Sequence, residues 1–376
     1  MDRPNNKLKK HIVIDARIRR ASTGRPVARL LEHLQEIDSE HRYTVLLEKS
    51  DDWQPGNKLF KVVYTRFPIF SFNILNQALY ALQLRKLHPD LVYFTLTPQQ
   101  PLFYFGKQAT LTHDLVMLKF ARPGRLPRWL HALRMKGYRL LLWSAHKKAR
   151  HIVVPTQFVA DDINKYHLFT NRKTTVMLEA SEPPLPGKAK RPLEAPEEFI
   201  MYTGSAFPHK NLERLITAFA LLKEQHPKLR LVLVGKQEYH AKKLKKWAKK
   251  QMYADDILFT GFIEDSELKW YLENAQAYIF PSLSEGFGLT GLEAMVHGCP
   301  VVSSNATCLP EVHGDAAIYF DPLDIQEMAQ KIDEVISNEA LRKKLILKGY
   351  ENAKRFSWRR FAQQHANMFK ELLDES

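Results

Sequence analysis

Two glutamates eight residues apart offer the clearest chemical use in this sequence. Glu285 and Glu293 lie within PSLSEGFGLTGLEAMVHGCPVVSS, from Pro281 to Ser304. The apolar run ending at Phe280 and Pro281 reads as a strand, Gly286 and Gly288 as a turn, and Leu289 onward as a helix. Backbone N–H groups at such a turn and helix start converge on one point, which suits phosphate or sugar hydroxyls. With Glu285 in the turn and Glu293 in the helix, the two carboxylates can hold hydroxyls on different parts of one extended ligand. The same spacing also fits solvated surface acids around glycines that only shape a turn. A hydrolase using the pair as nucleophile and acid fits less well, because the second glutamate lies along a helix. Farther upstream, His113 and Asp114 follow the short apolar run ATLT, a place where histidines serve structural or capping roles as often as chemical ones.

SEGFGLTGLEAM resembles the E-x7-E signature of family 4 glycosyltransferases with the GT-B fold, in the strand-to-helix setting that signature requires. The resemblance implies that Glu285 contacts the donor sugar, Glu293 the nucleotide ribose, and the backbone of Gly286, Phe287, Gly288 and Leu289 the sugar and diphosphate. A second stretch, YTGSAFPHKNLERLITAF from Tyr202 to Phe219, resembles the first strand, loop and helix of the family's donor domain. There Lys210 aligns with the diphosphate-binding lysine, and Gly204 and Ser205 belong to the same donor-binding loop. Many relatives carry an arginine beside that lysine or after the strand glycine, where this chain has His209 and Ser205. LTHDL resembles the family's strand-end His-Asp, so His113 is expected to hydrogen-bond the transferring sugar or position the acceptor, and Asp114 to orient its loop. IDARIRRASTGRP resembles the first strand and loop; it keeps one glycine, Gly24, where relatives often have two, and leaves Gly24 and Arg25 as candidate contacts for donor phosphate or acceptor.

The implied catalytic set is His113, Lys210 and Glu285. The implied reaction moves a hexose, with mannose favoured, from a GDP- or UDP-linked sugar to a glycan or lipid-linked acceptor with retention of configuration, in cell-surface polysaccharide or glycolipid synthesis. An ammonium near a helix start suits two phosphates without a metal. The chain has no Asp-x-Asp triplet, so neither a metal nor a cofactor beyond the donor is expected.

These residues need elements to hold them. Short β-branched runs alternate with amphipathic helical stretches from residue 11 onward, the pattern of parallel sheets with crossover helices. HIVIDA, YTVLL, LVYFT, ATLT and HIVVP read as strands of an N-terminal acceptor-binding domain, residues 1–182. A proline-rich stretch, 183–196, reads as a linker. In 197–356, FIMYTG, LRLVLVG, ILFTG, AYIFP, PVVSS and AIYF read as strands of a donor-binding domain, with a helix presenting Leu212, Leu215, Ile216, Phe219 and Leu222 on one face. A helix over 357–376 closes the chain, with the option of packing back on the N-terminal domain. The expected fold class is α/β: GT-B, two doubly wound Rossmann-like domains facing across a cleft.

Composition sets the outer limits. At 376 residues, 45% of them hydrophobic and 26% charged, the chain is large enough for two ordinary globular domains. No run reaches the length of a bilayer-spanning helix or a signal peptide. Cys299 and Cys308 show no metal spacing and read as buried packing residues. A cytoplasmic protein is expected. The 56 lysines and arginines against 41 acids give a formal charge of +15, which favours an anionic partner. From Met117 to Arg150 there are ten Lys or Arg and no acid, mixed with Trp129, Tyr138 and Trp143. This segment, with Arg125, Arg128, Arg134 and Lys136 at its centre, is expected to dock on an anionic membrane surface bearing the acceptor, on the inner face of the cell membrane; a solvated outer face is the plainer alternative. A nucleic-acid-binding protein would explain the charge but not E-x7-E, and no nucleic-acid partner is expected. A GT-B-like sugar-nucleotide epimerase would share the nucleotide site but would need acids and bases at the sugar itself. Oligomeric state is not legible.

Overall fold

The strand and helix alternation builds two separate parallel sheets, one in each half of the chain. The computed structural model describes residues 9–21, 23–69, 71–120, 127–166 and 173–375. These form two units, one of residues 9–118, 127–179 and 358–375, the other of 119–120 and 180–357.

The first unit carries β1 (His11–Asp15), α1 (Arg25–Ile37), β2 (Arg42–Glu48), β3 (Phe60–Thr65), α2 (Ile74–Lys86), β4 (Leu91–Phe94), β5 (Gln108–Leu111), α3 (Val116–Lys119), α4 (Arg128–Lys148), β6 (His151–Val154), α5 (Gln157–Tyr166) and β7 (Lys173–Val176). Its sheet order is β3-β2-β1-β4-β5-β6-β7, all parallel. Every residue of β1, β4, β5 and β6 is buried, as expected of central strands covered on both faces. Helix α1 begins with Arg25-Pro26, and its Val27, Leu30, Leu31 and Leu34 recur at helical spacing to form the stripe that faces the core.

The second unit carries β8 (Phe199–Thr203), α6 (Leu212–Leu222), β9 (Arg230–Val234), α7 (Tyr239–Ala248), β10 (Ile257–Gly261), α8 (Asp265–Asn274), β11 (Ala277–Phe280), α9 (Leu289–Val296), β12 (Val301–Ser304), α10 (Leu309–His313), β13 (Ala317–Phe320), α11 (Ile325–Ile336) and α12 (Glu339–Ala353). Its sheet order is β10-β9-β8-β11-β12-β13. Leu215, Ile216, Phe219 and Leu222 of α6 pack into the main core with Ile200, Leu231, Ile279, Val302, Phe320 and Ile332. The proline-rich segment before β8 is tied to this unit. The Leu185 N–H donates to His297 Nε2 at 3.0 Å, and Lys269 Nζ donates to the carbonyls of Leu185 and Gly187, both at 2.8 Å.

The last helix, α13 (Trp358–Asp374), belongs to the first unit. Phe361, Ala362, His365, Met368, Phe369 and Leu372 form its buried stripe, and it packs on α1 and on Tyr93 of β4. Tyr93 Oη lies 2.7 Å from His365 Nε2.

Candidate functional site

In an open parallel sheet a ligand crevice opens at the carboxyl ends of the strands where the winding direction reverses. In the second unit the chain winds from β8 outward to β10, then crosses back to β11 and winds the other way. The reversal therefore lies between β8 and β11, and the loops leaving those two strands carry Lys210 and Glu285.

Backbone geometry brings the loops together. After β8 the chain passes Gly204 at φ +143, then the 3₁₀ turn Pro208–Lys210, and enters α6 through Asn211, which takes the left-handed conformation at φ 61. The Asn211 side-chain amide donates to Pro281 O at 3.0 Å and Pro322 O at 2.7 Å. This fixes the lysine loop to the ends of β11 and β13. The Leu283 N–H donates to His209 O at 2.7 Å and joins the two loops directly. Lys210 Nζ then lies 2.6 Å from Glu285 Oε1, both side chains more than four-fifths buried, and 5.9 Å from the Phe280 ring centroid.

The glutamate is held from its other side as well. Its N–H donates to Thr307 Oγ1 at 3.1 Å, and Thr307 itself sits in the left-handed region, φ 60, in the loop after β12. Gly288, at φ +99, precedes α9, whose first turn has no side-chain cap, so its N–H groups form the anion-friendly end of that helix. The turn packs tightly: a Cβ on Gly291 would fall 2.3 Å from His313 Nε2, and one on Gly288 2.8 Å from Leu309 Cδ2. Burial holds the His313 imidazole down to about 4, so it is a neutral ring under the turn. Gly286, Phe287 and Gly288 are buried, and Glu285, Leu289 and Glu293 are half-buried. Gly204 and Ser205 lie in the lysine loop, where the Ser205 carbonyl accepts from Tyr202 Oη at 2.9 Å.

The sequence reading missed Asn211, Thr307 and His313. Asn211 follows Lys210 directly and its left-handed backbone is a role that asparagine fills more readily than most residues, so a signal was present. Thr307 and His313 act through long-range contacts that carry no local pattern. Among the described residues, no group of three or more His, Cys, Asp or Glu side chains is placed to hold a metal ion. Cys299 and Cys308 are buried free thiols, both with burial raising their pKa.

In the first unit, the winding reverses between β1 and β4. Here Asp15, Thr95 and His113 already have protein partners, whereas Gln99 Nε2 and the side-chain amide of Gln100, in the loop after β4, are buried without one. Asp15, at the end of β1, takes Arg17 Nε at 2.8 Å and Tyr80 Oη at 2.6 Å, all buried. Thr95 Oγ1 donates to Asp15 O at 2.6 Å. His113, leaving β5, puts Nε2 2.9 Å from Thr95 O and Nδ1 3.4 Å from Glu179 Oε1. Both ring nitrogens thus face a protein acceptor. The sequence reading gives this ring to a sugar or an acceptor, whereas here a sugar hydroxyl reaches it only by displacing one of these contacts. Burial pulls the His113 pKa down, but the hydrogen bond and charge of Glu179 outweigh it and raise it above 6.5.

Asp114 Oδ1 accepts from the Val116 N–H at 2.8 Å and so orients its own loop. Gly24 has φ −87, and its need for glycine is steric: a Cβ there would lie 2.1 Å from Ile18 O. Arg25 opens α1 and is half-buried. In the basic segment, Arg125 lies outside the described residues, as does the side chain of Arg128; Arg134 and Lys136 are exposed on α4. Lys148, counted among the outward charges by the sequence pattern, instead donates to Pro101, Leu102 and Tyr104 carbonyls at 2.8, 3.0 and 3.2 Å, and burial lowers its pKa to about 8.

The family model described as glycosyl transferases group 1 matches residues 187–352, within the second unit. O-antigen chain mannosyltransferase B of Escherichia coli is 34% identical over 175 residues, 46% of this chain and 46% of that protein. The chain thus spans less than half the length of this curated relative. Among solved structures, WaaG, a glycosyltransferase involved in lipopolysaccharide biosynthesis, superposes with a TM-score of 0.71 at 16% identity, covering 95% of this chain and 99% of WaaG. HepE of Anabaena, solved with UDP and glucose, gives 0.69 at 18% identity over 96% of this chain and 99% of its own. The fold is the α/β architecture of these GT-B proteins.

Proposed function

We propose that this chain is a nucleotide-sugar-dependent glycosyltransferase whose donor diphosphate binds at Lys210 and whose donor sugar binds at Glu285. The observation that carries the reading is the Lys210–Glu285 ion pair at the winding reversal of the second sheet. A lysine ammonium has three donors and a carboxylate about four acceptor sites, so each keeps capacity for a ligand while pairing with the other. When the donor binds, its diphosphate takes over Lys210 and the N–H groups at the start of α9, and the Glu285 carboxylate turns to the sugar hydroxyls. Glu293, on α9, serves the ribose. As the glycosidic bond breaks, the sugar becomes oxocarbenium-like and negative charge grows on the leaving diphosphate, where Lys210 stabilises it without a metal. Transfer proceeds with retention of configuration.

A hexose is the proposed group transferred, with mannose favoured, in surface polysaccharide or glycolipid synthesis. The named activity of the Escherichia coli relative supports the mannose, and the UDP and glucose in HepE support a nucleotide-sugar site on this fold. The acceptor is a glycan or a lipid-linked glycan. Helix α4, with Arg134, Lys136, Arg139 and Lys147 exposed, and Arg150 just after it, docks the protein on an anionic membrane surface. Among the described residues no helix is long and apolar enough to cross a membrane.

Thermal-shift screening of the purified chain against GDP- and UDP-sugars tests the donor assignment, because a ligand that binds only the folded state raises its melting temperature. Turnover of the selected donor with and without a lipid-linked acceptor then separates transfer from epimerisation. Product formed equally well without acceptor would overturn the transferase reading.

A further inference from the structure

Helix α2 carries apolar residues on all sides. Gln77, Tyr80, Ala81 and Leu84 face the core, and the opposite side presents Ile74 at 68% exposure, Leu75 at 64%, Leu82 at 47% and Leu79 at 37%. Aliphatic side chains on the face opposite the core need cover that the core does not give, and four of them on one short helix exceed the scattered single exposures of ordinary surfaces.

This ridge is continuous with α4. The Phe72 ring, just before α2, sits where a Cβ on Gly137 of α4 would be, 2.8 Å away. On the far side, Gln77 Oε1 accepts from the Leu102 N–H at 2.8 Å, and Arg85 donates to Phe103 O at 2.9 Å. Lys148 of α4 holds the same loop through three carbonyls and lies 5.3 Å from the Phe105 ring centroid. The loop tip Phe105 is 71% exposed, and Trp129 at the start of α4 is 70% exposed.

The stretch of chain that carries this surface is strongly basic. From residue 53 to residue 160 the sequence holds 16 Lys or Arg and only two acids, Asp90 and Asp114. Asp90 accepts from the His11 N–H at the start of β1 and pairs with Lys10 at 3.6 Å, and Asp114 accepts from the Val116 N–H in its own loop. Exposed aliphatics, tryptophans and phenylalanines set among lysines and arginines match a bilayer in its layers: acyl chains for the aliphatics, the boundary for the aromatics, anionic headgroups for the bases.

We infer that α2 is a hydrophobic anchor, inserting Ile74, Leu75, Leu79 and Leu82 into the outer part of an anionic lipid bilayer beside α4. The inference rests on the membrane-docked reading of α4 and adds a second, apolar mode of attachment. Electrostatic binding through α4 is screened by salt, and apolar insertion of α2 is not. The two modes are therefore separable.

The test uses the full chain and phosphatidylglycerol vesicles at low and high salt, with phosphatidylcholine vesicles as the neutral control. Wild type should co-sediment with phosphatidylglycerol at low salt and keep a salt-resistant bound fraction. Changing Ile74, Leu75, Leu79 and Leu82 to Ser should weaken partitioning by at least about 10-fold at high salt. Changing Arg134 and Lys136 to Glu should instead remove mainly the salt-sensitive part. A second reading needs no multiple substitution: Ile74→Cys, labelled with an environment-sensitive fluorophore, should shift to the blue on vesicle addition. Labelling is selective because Cys299 and Cys308 are buried. An unshifted label, or a Ser variant that sediments like wild type at both salts, would overturn the anchor and leave α4 docking in place. A wild-type dimer abolished by the Ser variant, with vesicle binding unchanged, would assign the ridge to a second copy and also overturn it. Wild type that binds no vesicles would overturn membrane docking itself.

Discussion

Lys210 and Glu285 stand 75 positions apart in the chain and 2.6 Å apart in the fold. Each is delivered by the loop that leaves one of two adjacent strands, β8 and β11, at the point where the sheet reverses its winding. Such a pair forms a ligand site more readily than a structural bridge, because neither loop needs it: Asn211 and the Leu283 N–H already stitch the two loops through backbone carbonyls.

The pair should therefore be dispensable for folding and not for turnover. Glu285→Gln is expected to keep the fold and slow transfer by roughly 100-fold or more, about 2.7 kcal/mol of transition-state stabilisation. Lys210→Ala should chiefly weaken binding of the nucleotide diphosphate. The double variant should lose less than the product of the two single losses, since the residues share one ligand and one contact. Steady-state kinetics of all three decides this; near-normal transfer by both single variants would remove the donor-site assignment.

If Lys210 and the α9 N-terminus carry the leaving-group charge, transfer should survive excess EDTA. Loss of activity on chelation, restored by magnesium or manganese, would mean that a divalent cation stabilises the diphosphate instead.

Buried histidines set how the fold responds to acid. His151, His313 and His365 are each held down to about 4 by burial. At His365, Nδ1–H donates to Phe361 O at 2.8 Å and Nε2 lies 2.7 Å from Tyr93 Oη, so the neutral ring is fully hydrogen-bonded while burial opposes a charge on it. As pH falls from about 6.5 toward 4, the unfolded chain takes up protons that the folded chain refuses, and stability drops through that window. His113 has the opposite sign. Its raised pKa gives stability that is complete below about 6.5 and fades as pH rises through the folded value. The melting temperature should decline between pH 6.5 and 4.5, and Glu179→Gln should lower the pKa of His113 as read by its imidazole resonance. A flat melting profile across that range would contradict the assignment of neutral buried rings.

Much of this was legible in the sequence, and the exceptions share a cause. Central strands such as His11–Asp15 and Ala277–Phe280 are buried along their whole length and read as plain apolar runs. The two strands that went unread, Phe60–Thr65 and Lys173–Val176, are the edges of the first sheet. Their FKVVYT and KTTV carry exposed and half-buried positions, so no continuous apolar signal marks them. At the candidate site, Lys210, Glu285 and the glycine turn lie in contiguous motifs and were found. Glu179, which faces His113 from 66 positions away, is placed only by the closing of the sheet. The exposed face of α2 was hidden for a different reason: ILNQALYALQLRK has apolar residues all round, so its pattern cannot say which side the core takes.

The central claim is that a nucleoside diphosphate binds at Lys210. Calorimetric titration of GDP and of UDP into wild type and Lys210→Ala at matched salt tests it without any knowledge of the acceptor. Wild type should bind at least one of them, and Lys210→Ala should bind the same nucleotide at least about 10-fold more weakly, the loss of one charge-assisted phosphate contact. Equal affinity in the two proteins, with both shown to be folded, would contradict the account.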